Sequence, residues 1–360
     1  MFVDAYGAWQ TGGSGTVATA SNHRMFSGQG ANLRAENGFS LAFLGFDASY
    51  DAGDIGAVAA LRFGQGAAIY HYKSEGDSDL DFGVDHLYEA YALWRPHAAL
   101  ELDAGLFLSP YGVEVIESWR NPNYTRGAVG NYAQPNWHTG LRAIWQISDQ
   151  LDALGFVAAG TNIVSEAQEG SGLDQTPTLG AQLAYAPNDV VSFALGGLLA
   201  LDRRYNGDGG FDSFADFITT VHVGALTASL NADLIATRDG APSGDDRYCW
   251  GAALIAGYRL DGRFGLGARA EYLRDDVDYG GGDVWELVTG TVTLDLRLSP
   301  LAVDDATDGP LLVLRWENRW EKSNQAIYGE DARGTADVAD DAYSDAWFES
   351  VLGVVFTTEP

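Results

Sequence analysis

Residues 226–237 read Leu-Thr-Ala-Ser-Leu-Asn-Ala-Asp-Leu-Ile-Ala-Thr. Leu226, Ala228, Leu230, Ala232, Leu234 and Ala236 fall on one side of an extended chain, and Thr227, Ser229, Asn231, Asp233 and Thr237 on the other, because successive side chains of a β-strand point to opposite faces. The segment has one oily and one wet surface. The same beat recurs from end to end of the chain, with aromatic residues near the ends of many runs. A soluble sandwich would alternate too, but it has no need of aromatics paired at both rims. A sheet with lipid outside and water inside does, and it must close on itself so that no edge is left unpaired in hydrocarbon.

Working outward from 226–237, alternation and turn signals predict about sixteen strands. They fall at 2–10, 38–50, 54–64, 86–96, 98–108, 137–147, 150–162, 177–187, 190–202, 214–224, 226–237, 246–260, 263–273, 285–298, 310–321 and 343–356. Every second connection is tight: Asp51–Gly53, His97, Ser148–Asp149, Asn188–Asp189, Ala225 and Asp261–Gly262. The connections between them are long, and Leu301–Gly309 is the one longer link on the short side. Short turns on one rim and long loops on the other are the bacterial outer-membrane arrangement, and an even strand count puts both termini at the periplasmic rim. The fold expected is all-β, a single transmembrane antiparallel up-and-down barrel over residues 1–360. A large barrel with a polar interior is a pore.

Composition narrows the function. The chain has 360 residues, 50 Asp+Glu against 21 Lys+Arg and a net charge of −29, which argues against nucleic acid as a partner because neutralising phosphates takes clustered cations. No Pro/Ser-rich linker divides it, and no apolar run approaches the ~18 residues of a spanning helix. Cys249 is the only cysteine, which excludes a disulfide framework and a thiolate zinc site. The six His residues occur in no nucleophile-elbow or zinc-protease context, and no phosphate loop is present. No cofactor and no enzymatic activity are expected. An export signal ahead of Phe2 is expected to have been removed.

Trp137 and Trp145 share parity with Leu141 and Ala143, and Trp250 and Tyr258 bracket Ala252, Leu254 and Ala256. Eight residues of tilted strand cover roughly 20 Å of membrane depth, so these four are expected in the aromatic girdles facing outer-membrane lipid and lipopolysaccharide. Phe348, Leu352, Val354 and Phe356 share the outer face of the closing strand, with Phe356 as a girdle residue and the terminal aromatic offered to the barrel-assembly machinery.

The stretch from Gly105, GLFLSPYGVEVIESWRNPNYTRGAVGNYAQPNWHTGLRAIW, resembles the OmpL-like β-barrel porin family. The matching positions are Gly112, Glu114, Val115, Ile116, Glu117, Ser118, Asn123, Tyr124, Thr125, Arg126, His138, Thr139, Gly140 and Arg142. The motif covers about a tenth of the chain, with weaker likeness at 38–50, 86–96 and 160–162. The resemblance implies an outer-membrane porin without naming a solute.

Within that stretch, residues 109–136 form a long loop with Pro110, Gly112, Gly127 and Gly130 for folded turns and Tyr111, Trp119, Tyr124 and Tyr132 to pack against a wall. It is expected to fold into the lumen as a constriction, the alternative being a lid over the mouth or a contact with a neighbouring subunit. Glu114 and Glu117 would face the passage with Arg120 and Arg126, opposite Arg142, as the nearest wall arginine, and Arg62. Asp47, Glu101, Asp103, His138, Arg269, Glu271, Asp295, Arg315, Glu317 and Arg319 have inward parity and would line the pore, with part of them bracing the wall as cross-strand pairs. Acids gather between strands, as at 208–216 and 275–278. Asp77, Asp79 and Asp81 have the spacing of oxygen ligands for Ca²⁺ but lack the rest of a calcium loop, so a solvated acidic loop is favoured. These acids predict a cation-preferring channel for small hydrophilic solutes, with homo-oligomerisation as an option. The alternative function is a plugged, non-conducting surface or structural barrel.

Overall fold

The computed structural model describes residues 1–11, 38–70, 86–160, 177–200, 213–238, 245–276, 284–299, 310–325, 328–329 and 343–358. Its strands are β1 (Phe2–Thr11), β2 (Gly38–Asp51), β3 (Ile55–Phe63), β4 (Leu87–His97), β5 (Leu100–Leu108), β6 (Trp137–Ser148), β7 (Leu151–Ala158), β8 (Thr178–Tyr185), β9 (Val191–Ala200), β10 (Ser213–Val223), β11 (Leu226–Thr237), β12 (Arg247–Arg259), β13 (Phe264–Asp275), β14 (Trp285–Ser299), β15 (Leu311–Ser323), β16 (Tyr328–Gly329), β17 (Tyr343–Ser344) and β18 (Ala346–Thr357). Sixteen of them close a barrel in which each strand pairs antiparallel with its neighbours in sequence and β1 pairs with β18. β16 and β17 form a separate two-stranded ladder. No helix among the described residues is long and apolar enough to cross a membrane.

Each expected span overlaps one barrel strand. The last begins later than expected. Ser344 turns back on Ala346 through its hydroxyl at 2.9 and 3.1 Å, so 343–344 leave the wall and pair with β16 instead. Two short helices, α1 (Gln65–Tyr70) and α2 (Ala128–Tyr132), carry no helical periodicity long enough to be read from sequence. Asp216 and Asp275, read as loop acids, stand on β10 and β13 and are buried. Asp77, Asp79, Asp81 and the link 301–309 lie outside the described residues.

The tight turns are built by short acceptors that hydrogen-bond the chain just ahead of them. Asp51 Oδ1 accepts from Gly53 N at 2.7 Å, Asn188 Oδ1 from Val190 N at 2.9 Å, and Asp261 Oδ1 from both Arg263 N and Phe264 N at 2.7 Å. Those two N–H donors hold the Asp261 carboxyl below the usual range.

Burial is inverted relative to a soluble protein. On β11, Ser229, Asn231, Asp233 and Thr237 are buried while Leu230 and Leu234 are exposed, and Leu141 on β6 is 64% exposed. Trp145, Trp250 and Tyr258 stand on the outer surface with them. Trp137 does not. It is only 5% exposed and belongs to the apolar cluster of Phe2, Phe43, Tyr88 and Ile116. The cause is its position as the first residue of β6, where the chain has just left the interior. Phe356 keeps outward parity and is partly exposed.

Candidate functional site

The interior is organised by residues 109–136. The neck closes where Ser109 N donates to Asn136 O at 2.9 Å. From there the segment touches the wall almost all the way round. Tyr111 OH donates to Gly197 O on β9 at 2.5 Å, and Gln182 on β8 donates to Pro110 O at 2.7 Å. Val113 N reaches Asn231 on β11 at 3.0 Å. Ser118 Oγ and Tyr124 OH both donate to Asp4 on β1 at 2.6 Å. Tyr124 N and Thr125 N donate to Glu317 on β15 at 2.5 and 3.0 Å. A segment that bonds β1, β8, β9, β11 and β15 of one closed barrel lies across its lumen.

Buried ion pairs fix the acidic limb. Glu117, fully buried, accepts from Arg62 Nε and Nη2 at 3.0 and 2.7 Å and from Tyr88 OH at 2.7 Å. Arg62 also holds Asp47 at 2.7 Å, and its guanidinium sits 4.8 Å from the Phe2 ring and 4.3 Å from the Tyr88 ring. Tyr88 reaches this site because it is the extra residue where the β3–β4 register shifts: Ala60 pairs with Glu89, and Leu61 with Leu87. Such bulges re-aim a side chain. On the far wall Glu114 pairs with Arg269 at 2.6 Å and accepts from Gly127 N at 2.8 Å, which ties the two limbs of the loop together. Glu271 accepts from Val129 N in the first turn of α2 at 3.0 Å and from Arg269 at 3.1 Å.

Several expectations about partners change. Arg142 does not face the glutamates. It stands opposite Asp103 in the β5–β6 register and pairs with it at 2.7 Å. Arg269, read only as pore lining, takes the place intended for it. Arg126 is buried inside the loop, bonded to Gln134 Oε1 at 3.2 Å, and Arg120 is exposed with its guanidinium 4.7 Å from the Trp119 ring. His138 lines no water-filled surface. It is fully buried, 4.4 Å ring to ring from Phe156, with Nδ1 3.2 Å from Gly160 O.

Arg315, Glu317 and Arg319 brace the loop as much as the wall. Arg315 donates to the Asn121 and Pro122 carbonyls at 3.0 and 2.9 Å and pairs with Asp295 at 2.8 Å, and Arg319 donates to Arg126 O at 2.8 Å. Of the ten inward residues expected to meet water, Asp47, Glu101 and Asp295 keep appreciable side-chain exposure, at 28, 25 and 25%. Most of the others are covered because the loop occupies their level. Sequence reasoning missed Asp4, Tyr88, Asn231, Asp233 and Gln134. Asp4, alternating with Phe2 and Tyr6 on β1, and Asn231 and Asp233, on the wet face of β11, carried a parity signal; Tyr88 and Gln134 carried none.

Two wall glycines mark where the loop presses closest. A Cβ on Gly267 would stand 2.0 Å from Pro122 O, and one on Gly353 would stand 2.3 Å from the Tyr124 ring. Between the loop and the short-turn rim remains a cavity of about 820 Å³, lined by Trp119–Pro122 from above and by β10–β15 and β18 from the sides.

The barrel resembles solved outer-membrane proteins over its full length at low identity. An anion-selective porin from Comamonas acidovorans superposes with a TM-score of 0.57 at 12% identity, over 98% of this chain and 97% of that one. OmpT, an outer membrane protein of Vibrio cholerae, gives 0.53 at 10% identity over 99% and 97%. The outer membrane channel DcaP of Acinetobacter baumannii gives 0.53 at 11% over 99% and 95%. No curated protein sequence matches. These likenesses establish the fold, an outer-membrane barrel of porin type. The profile of the family described as "Putative beta-barrel porin-2, OmpL-like" matches residues 2–344, nearly the whole chain, and the protein belongs to that family of the bacterial outer membrane.

Proposed function

We propose that this porin is a diffusion channel for ions and small hydrophilic solutes, not an enzyme, and that residues 109–136 set its narrowest level with Glu114, Glu117 and their partners Arg62 and Arg269. The observation that carries this reading is the anchoring of one loop to opposite walls: Glu117 to β3 at 2.7 Å and Glu114 to β13 at 2.6 Å. Opposed charges at a partly dehydrated level act through a lower dielectric than bulk water, so they orient dipolar solutes and reject large apolar ones. A preference for cations over the whole pore follows from the chain's net charge of −29. The outer face of leucine, valine and rim aromatics suits lipid and lipopolysaccharide, and assembly into homo-oligomers belongs to the same proposal, since the Vibrio cholerae OmpT neighbour is also described in a trimer form. The second reading, a non-conducting plugged barrel, draws on the depth to which Glu117, Asn123 and Thr125 are buried.

Single-channel recording in a planar bilayer separates the two. Stepwise conductance with a reversal potential favouring K⁺ over Cl⁻ is the expected result. A correctly folded barrel that inserts and stays silent overturns the channel, and an anion-favouring reversal potential overturns the selectivity.

A further inference from the structure

One polar group on the lipid face of the wall has nothing to bond. On β15, Trp316, Asn318 and Trp320 point outward between the buried Glu317, Arg319 and Glu321. Asn318 is partly exposed, and no hydrogen bond joins its carboxamide to another described residue. Charged side chains on the outer face near the long-loop rim, by contrast, have partners. Glu286 accepts from Tyr272 OH at 2.6 Å, Arg274 pairs with Asp276 at 3.4 Å, and Lys322 pairs with Asp345. Asn318 lies four residues along β15 from Lys322, which at a rise of about 3.3 Å and a tilt of about 40° is roughly 10 Å deeper. Lipid hydrocarbon offers a carboxamide neither donor nor acceptor, and an unmet polar group there is costly.

The surface around Asn318 is shaped for contact. Strand register sets Trp9 on β1, Ser350 on β18, Asn318 on β15 and Val292 on β14 side by side in one row. Trp316 Nε1 donates to Ser350 Oγ at 3.0 Å across the outside of the wall. Trp9, Trp316 and Trp320 are 55, 49 and 44% exposed, so three large rings border the row. Beside Trp320 the wall is hollow: Gly290, opposite it on β14, has open space where a Cβ would stand, and Ala270 follows on β13. Transmembrane surfaces associate through small residues that allow close approach and polar groups that bond across, because apolar side chains gain little by leaving lipid. A carboxamide carries two N–H donors and a carbonyl acceptor, so it can exchange both kinds of bond with another carboxamide. That self-complementarity is what a symmetric contact between identical chains requires.

We propose that the outer face of β14, β15, β18 and β1 is where copies of this chain meet in the membrane, with Asn318 bonded to Asn318 of the partner subunit at the symmetry axis. The inference rests on the homo-oligomer proposed above and adds the place of contact.

Engineered cysteines report that contact directly, because Cys249, the only native thiol, is buried in the wall. Full-length barrels carrying N318C or, on the far side of the barrel, L141C are folded into lipid vesicles and oxidised. N318C is expected to run as a disulfide-linked dimer on a non-reducing gel and L141C as a monomer. Light scattering in detergent gives a second readout. Wild type is expected to be oligomeric, and N318L, which keeps apolar bulk without the carboxamide, to dissociate about tenfold more readily while retaining its heat-modifiable mobility. A folded N318L that associates like wild type, or an N318C barrel no more cross-linked than L141C, overturns the contact and leaves the homo-oligomer standing. A wild type that is monomeric at every concentration removes both, and conductance still decides the channel separately.

Discussion

Replacing both loop glutamates by glutamine tests whether 109–136 controls passage. In E114Q/E117Q the backbone contacts of the loop to Arg315 and Glu317 are untouched, as is every strand pairing. What changes is that Arg62 and Arg269, each almost wholly buried, lose one anion. Removing one partner of a buried pair costs about 3–5 kcal/mol because the remaining charge is left uncompensated. The lower end applies here, since Arg62 keeps Asp47 at 2.7 Å and Arg269 keeps Glu271 at 3.1 Å. Two such losses on opposite walls sum to about 6 kcal/mol, because distant sites are nearly additive. Even one, at 1.4 kcal/mol per factor of ten, shifts the balance between a docked and an undocked 113–118 limb by about two orders of magnitude. Recordings of the refolded double variant should show larger and noisier unitary conductance and a weaker preference for K⁺, while the barrel retains its heat-modifiable mobility. Neutralising Asp77 and Asp79 should have a smaller effect on selectivity. That effect should fade between 0.1 and 1 M salt as the Debye length falls from about 10 to about 3 Å. Wild-type conductance from a folded E114Q/E117Q barrel, or equal behaviour of the two double variants, would refute the reasoning and leave the loop as a lid.

Other perturbations isolate other parts of the argument. In G267V the new side chain meets the Pro122 carbonyl, which cannot rotate away, so the 119–123 corner should lift and unitary conductance rise; unchanged conductance with a folded barrel would count against the contact. D216N removes one of two carboxylates that stand opposite each other on β10 and β11, but it also turns one of two acceptor oxygens, which take Gly112 N at 3.4 Å and Asn231 Nδ2 at 2.9 Å, into a donor. It should lower the urea midpoint of refolding by the equivalent of about 1–2 kcal/mol, and a raised midpoint would show that relief of the facing charges outweighs the lost acceptor. L141R sets a charge on the lipid face and should lower stability in bilayers by about 2–4 kcal/mol. If it proves neutral, the inside and outside faces of β6 have been exchanged.

Much of the wall could be read from sequence because each of its determinants is local. Alternation over 226–237 depends only on the period of an extended chain, and Asp51, Asn188 and Asp261 announce their turns because their side chains bond the backbone two residues on. The register of distant strands has no local determinant. Arg142 looked like the partner of Glu114 because it is near in sequence, yet cross-strand pairing gives it Asp103, and Arg269, at a sequence separation of 155, holds the glutamate. Trp137 was misplaced for a related reason: its parity is that of the lipid face, but the chain at that point is still emerging from the interior. Tyr88 was missed because a one-residue bulge alters parity without leaving a mark in composition.

The deeper limit concerns what "inside" means. Alternation separates two faces, and apolar content says which one meets lipid, but nothing in a strand says whether the other meets water or protein. Arg269, Glu271, Glu317 and Arg319 would have the same sequence pattern in an open lumen as in this one, which a loop crosses. The information is in the loop instead. Residues 109–136 combine Tyr111, Trp119 and Tyr124, which a water-exposed loop has no reason to carry together, with Ser118, Asn123 and Thr125, which can satisfy a charged wall. Buried charges persist only where each has a partner, and this loop supplies backbone N–H groups to Glu317, carbonyls to Arg315 and Arg319, hydroxyls to Asp4 and carboxylates to Arg62 and Arg269. An excess of inward charge on the walls together with a loop rich in both aromatics and small polar residues is thus a legible sign of a lumen crossed by its own loop.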